Sequence, residues 1–143
     1  MRTFATILTG AVLAAFVAGG AAQAEEMKMT APLSAAEEVP PNDSAATGAT
    51  EVTFDSATRK LSWELEYSGL SGDATAAHFH GPADPGANAP PVVTIADMTS
   101  GSSGTADLTE AQAADLMAGK WYVNVHTAAN PDGEIRGQVK AAP

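Results

Sequence analysis

Apolar and polar positions alternate with a period of two through much of the chain, the mark of half-buried β-strands. Residues 49–55 put Val52 and Phe54 on one face and Glu51, Thr53 and Asp55 on the other. Residues 61–67 alternate more clearly, with Leu61, Trp63, Leu65 and Tyr67 toward a core and Ser62, Glu64 and Glu66 toward water. The stretch between them, 56–60, has the length of a hairpin connection. Residues 75–80 and 92–95 read as further strands on either side of a Gly/Pro-rich loop, 81–91. In 121–127, Trp121, Val123 and Val125 form an apolar face, leaving Tyr122, Asn124 and His126 on the polar one. A tight-turn composition follows at 128–133. The last alternation, 134–139, turns Ile135 and Val139 inward and Glu134, Arg136 and Gln138 outward. One segment breaks the period. Thr109 and Gln112 are spaced as a capping box, Leu116 and Met117 supply a buried stripe, and Gly119 ends the helix. Short alternating strands with Gly/Pro turns predict an all-β fold: an antiparallel, Greek-key-like β-sandwich or barrel with one short helix before the penultimate strand.

The N-terminus follows different rules. Met1-Arg2 is a short basic start, residues 7–22 are an apolar run, and Ala22-Gln23-Ala24 matches a small-x-small cleavage pattern. Residues 1–24 therefore read as a secretory signal peptide cleaved after Ala24, which sends the mature chain to the periplasm or beyond. The run is short for a spanning helix and exits into acidic Glu25-Glu26, so no membrane span is expected in the mature form. Residues 25–32 read as a flexible leader in which Met27 and Met29 could offer soft ligands to Cu(I). The folded domain is then expected over 33–140.

Charge narrows the partners. Seventeen acidic residues against seven basic ones give a net charge of −10, which argues against nucleic acid and anionic lipid. There is no cysteine, hence no disulfide and no thiolate ligand. Neither a serine nucleophile elbow nor a phosphate-binding glycine loop is present.

The chemistry concentrates in the histidines. All three lie in two of the expected strands, His78 and His80 in one and His126 in the other. Residues two apart on a strand share a face, so His78 and His80 point together and Phe79 points away. If the two strands neighbour each other, three imidazoles converge on one spot outside the core. Such a set suits copper, zinc or nickel, with copper highest in affinity; zinc, the alternative, would keep the ligands and lose the redox chemistry. Arg136 stands on the polar face of a strand that a short turn pairs with the His126 strand, within reach of the same spot. Glu134, Asn124 and Gln138 share that face and could orient a ring N–H. The plainer reading has the histidines bonding loops and binding nothing, with Arg136 paired to Glu134, Glu64 or Glu66.

Several motifs resemble one known family in the same order: Glu37-Glu38-Val39-Pro40-Pro41, Tyr67-Ser68-Gly69-Leu70, Ala77-His78-Phe79-His80-Gly81-Pro82-Ala83, Ala118 through Thr127, and Asn130-Pro131-Asp132-Gly133-Glu134-Ile135-Arg136-Gly137-Gln138. Together they are similar to the CHRD domain, named for its repeats in chordin, over roughly Leu33 to Val139. The constellation of His-x-His, a distant third histidine and an arginine also resembles copper–zinc superoxide dismutases. That likeness implies His78, His80 and His126 as copper ligands and Arg136 as the catalytic residue that draws in superoxide, the small-molecule substrate. It does not extend to the bridging histidine, the zinc cluster or the disulfide of those enzymes. The CHRD likeness alone implies instead a non-enzymatic extracytoplasmic binding or envelope module, and the Met27/Met29 pair a periplasmic copper carrier.

Overall fold

The computed structural model describes residues 19–20 and 25–143; the expected signal segment lies outside them apart from 19–20. The chain forms a 9-stranded antiparallel sheet curled into a nearly closed barrel or sandwich, as the alternation predicts. In chain order the strands are β1 (Glu26–Ser34), β2 (Thr47–Asp55), β3 (Lys60–Ser68), β4 (Ala74–His80), β5 (Pro91–Thr94), β6 (Ser102–Asp107), β7 (Tyr122–Thr127), β8 (Ile135–Gln138) and β9 (Lys140–Ala141). Around the sheet they run β5-β4-β7-β8-β1-β2-β3-β6, with β9 on β1. Among the described residues, no helix is long and apolar enough to cross a membrane.

The expected flexible leader over 25–32 is instead strand β1. It pairs with β2 along its whole length, from Glu26 opposite Asp55 to Ser34 opposite Thr47. Met29, Ala31 and Leu33 are buried and Met27 packs against them, so the methionines fill the core and are not free to bind a metal. The period-two signal was present but carried by Met and Ala, and Pro32 interrupts it on the exposed side. Strand β6, Ser-Ser-Gly-Thr-Ala-Asp, has almost no apolar pattern. It forms because the free edge of β3 offers it a ladder, and because Gly104 lets its backbone lie against the Trp63 ring.

Helix α1 (Glu110–Met117) starts with the expected capping box, both Thr109–Gln112 bonds being made. It buries Ala113 and Leu116, whereas Met117 is exposed, so the stripe is one residue wide and not two. Gly119, at φ +75, carries the chain out of the helix in the left-handed region. Inside the barrel Phe79 bridges the two tryptophans, its ring 5.3 Å from Trp63 and 5.8 Å from Trp121.

The polar side of β8 is the second departure. Ile135 and Val139 face the core as expected, but Glu134, Arg136 and Gln138 are buried too, under the 81–91 loop and the 38–44 segment. Gln138 Nε2 donates to the carbonyls of Ala83 and Gly119, both at 2.8 Å. Between these residues Gly137 lies against β1, where a Cβ would overlap the Pro32 carbonyl. Both sides of that contact are backbone, so Gly137→Ala should lower stability by about 3 kcal/mol, read from urea unfolding midpoints at unchanged slope.

Candidate metal centre

The convergence inferred for the histidines required β4 and β7 to be neighbours, and they are. His78 lies opposite Asn124, His80 opposite Tyr122 and Ala76 opposite His126, so His126 stands diagonally across from His78 on the same face. One nitrogen from each ring falls within 4.8 Å of the other two. The closest pair is His78 Nδ1 and His126 Nε2 at 3.4 Å. Two nitrogens sharing a tetrahedral ion at metal–nitrogen distances of 2.0–2.1 Å would stand about 3.3 Å apart. The pair is thus already at ligand spacing.

Backbone carbonyls set the ring orientations. A carbonyl can only accept, so His126 Nδ1 donates to Pro131 O and His80 Nδ1 donates to Ala89 O, both at 2.8 Å. Each bond leaves the Nε2 lone pair free of the carbonyl, as a metal-binding histidine needs, that of His126 facing His78 and that of His80 facing Asn124. His80 Nε2 meets Asn124 Oδ1 at 2.9 Å, while Asn124 Nδ2 points to the Asp132 carbonyl. A neutral ring nitrogen facing an amide oxygen is two acceptors in contact, relieved by a proton or a cation between them. Burial, with the neighbouring imidazoles, pushes the pKa of His78 below the ordinary histidine value, and burial does the same to His80. Neutral imidazoles are the form that binds metals. His78 and His126 are half-buried on the solvent side, and His80 is buried beneath. The donor set fits a nitrogen-preferring transition metal.

The remaining predicted residues divide. Asn124 reaches His80, but at Nε2 and not at the ring N–H, which the Ala89 carbonyl takes. Glu134 does not reach any histidine; its carboxylate is consumed by Ser44, Ser71 and Thr127. Gln138 is likewise committed to the loop carbonyls. Arg136 is brought to the site but does not open to solvent, being 2% exposed. Its guanidinium lies 3.5 Å from the centre of the Tyr122 ring, and His80 stacks on that ring at 4.7 Å and 3°. β7 runs between the strands that carry them, so the tyrosine is sandwiched between the imidazole and the guanidinium. Arg136 pairs with none of the expected glutamates; its nitrogens donate to Asn88 Oδ1 and the Ala87 carbonyl.

One residue of the site was not singled out from the sequence. Glu38 is buried beside Asn124 and Arg136, and its Oε1 makes no hydrogen bond. Burial raises its pKa to about 7, against the lowering effects of Arg136 and the Asn124 amide and with help from Asp132. Gly133 makes room for it, since a Cβ there would overlap Glu38 Oε1. A glutamate ahead of two prolines carries no period that could mark it as buried.

A family model described as the CHRD domain matches residues 29–139. No curated protein and no solved structure matches the chain.

Proposed function

The chain belongs to the CHRD domain family, and from that premise we propose that its work is done by His78, His80 and His126 as a copper centre of an exported protein, with superoxide dismutation as the activity. The observation that carries the reading is the convergence of three imidazole nitrogens, two of them aimed by carbonyl-bound N–H groups. Copper is favoured over zinc by its affinity for nitrogen sites. Bound copper would supply one-electron chemistry, accepting an electron from one superoxide and returning it to the next.

The chain's own groups would divide the remaining tasks. His78 and His126 hold the solvent side and leave an approach for a small anion. His80 anchors the site from below, fixed by Ala89 and flanked by Tyr122. Asn124 must release His80 Nε2 for that nitrogen to coordinate. Arg136 adds positive charge beneath the Tyr122 ring, in a chain whose net charge is −10. The second reading, a copper carrier, keeps the same ligands and lacks turnover.

Copper titration of the protein beside His80→Ala, followed by a superoxide-consumption assay on the loaded form, tests the reading. One-to-one binding lost in the variant, with turnover, is the expected result. Binding without turnover leaves the carrier. Equal binding by protein and variant removes the copper centre and leaves a non-enzymatic binding module.

A further inference from the structure

The two hydrogen bonds of the Arg136 guanidinium and its contact with the Tyr122 ring all lead to one histidine. Nη2 donates to the Ala87 carbonyl at 2.6 Å and Nη1 to Asn88 Oδ1 at 3.0 Å. Asn88 is held from its other end, Nδ2 donating to Val39 O at 3.1 Å. The next residue, Ala89, is bound twice by Tyr122, whose Oη accepts from the Ala89 amide and donates to its carbonyl, both at 3.1 Å. That same carbonyl takes the His80 Nδ1 proton. Tyr122 in turn lies between Arg136 and the His80 ring. Ala87 and Asn88 are exposed and bury no side chain, so beyond the Ala87 amide bond to the Asp84 carbonyl the segment depends on these contacts.

We propose that Arg136 is a positioning residue for His80: it locks the 87–89 segment and the Tyr122 ring, and these two together fix the imidazole with Nδ1–H on Ala89 and Nε2 on Asn124, on the face that carries the other histidines. The task needs a planar cation. A guanidinium bonds the loop in the plane of its fork while its face rests on an aromatic ring, and an ammonium cannot do both. An anion arriving from solvent at His78 and His126 would not touch Arg136, which is enclosed between ring and loop. The coordination role assigned to His80 rests on the proposed copper centre; the fixing of the ring does not.

Two variants and two readouts decide the matter. Arg136→Lys keeps the charge and loses the fork, and Asn88→Ala removes two ties, to Arg136 and to the Val39 carbonyl, from an exposed position and should fold normally. In the metal-free protein, long-range nitrogen–proton NMR should show His80 as a single Nδ1–H tautomer. Both variants should show mixed tautomers, Arg136→Lys the more strongly. In copper titrations Arg136→Lys should bind about tenfold more weakly and Asn88→Ala about threefold, the scale expected when support of a ligand is lost. If Arg136→Lys keeps the His80 tautomer, and copper affinity within about twofold, the positioning role is wrong. Loss of superoxide turnover in that variant with a flattened salt dependence would then mark an anion guide. Should the unaltered protein bind no copper, the functional reading falls, and the tautomer measurement still decides the role of Arg136.

Discussion

His126→Ala should weaken copper binding by on the order of 100-fold while leaving the stability of the metal-free protein within about 1 kcal/mol. His126 stands on the solvent side of β7, half-buried, and among the described residues its one hydrogen bond outside the cluster goes to the carbonyl of exposed Pro131. Its loss opens no core cavity and orphans no deeply buried group. What it removes is one nitrogen of the closest pair, the 3.4 Å approach to His78 Nδ1. His80→Ala should lose binding as fully, but with a stability cost, because that ring is buried, stacked on Tyr122 and bonded through Nδ1 to the Ala89 carbonyl. Competition titration against a chelator of known affinity, with thermal melts of the metal-free forms, separates the two. Unchanged copper affinity in His126→Ala would rule this histidine out as a ligand.

Glu134→Ala should cost about 4 kcal/mol, one of the largest single-residue effects expected in the fold. This carboxylate is fully enclosed. It accepts from Ser44 Oγ at 2.6 Å, the Ser71 amide at 2.9 Å, Ser71 Oγ at 2.7 Å and Thr127 Oγ1 at 2.5 Å. It thereby ties the segment before β2 and the loop after β3 to β7. Burial alone would raise its pKa, but these four bonds overcome it and hold the carboxyl at about 2. A native pKa depressed from 4.5 gives stability that is complete above 4.5 and lost as pH falls through about 2. The stability gap between the protein and Glu134→Ala should therefore be widest above pH 4.5 and narrow in acid. Glu38 works in the opposite sense. With its pKa raised from 4.5 to about 7, its contribution is complete below 4.5 and lost as pH rises through about 7. Glu38→Gln should consequently gain on the protein as pH rises across that window. Chemical denaturation at a series of pH values gives both difference curves. A Glu134→Ala gap that does not narrow in acid, or a Glu38→Gln curve flat from pH 4.5 to 8, would contradict the corresponding assignment.

Legibility of the chain in advance depended on whether a feature is local. The strands around Val52, Leu61, Trp63, Phe79 and Val123 could be read because each alternates large apolar and polar side chains. β1 could not, because Met27, Met29, Ala31 and Leu33 make a weak stripe next to a cleavage-like sequence, and its pairing with β2 supplied what the pattern lacked. The helix could be read from the Thr109–Gln112 spacing alone, since a capping box is complete within four residues. Glu134 and Gln138 were placed on a polar face, as they are, yet polarity cannot tell a face that meets water from one that meets a loop. Arg136 suffered the same ambiguity and is enclosed by residues nearly fifty positions earlier, its bond to Asn88 spanning 48.

By itself the sequence determined that His78 and His80 share a face, that Phe79 opposes them, and that His126 lies on the polar side of its own strand. These follow from the two-residue repeat of an extended backbone and hold wherever the strand is placed. Only the tertiary structure decided that β4 and β7 are neighbours, that the carbonyls of Ala89 and Pro131 aim two of the rings, and that Glu38 and Arg136 are sealed beneath them. Those features depend on which surfaces bury each other across long stretches of chain. Carbonyl groups also occur at every residue, so nothing in the side-chain order marks the two that matter.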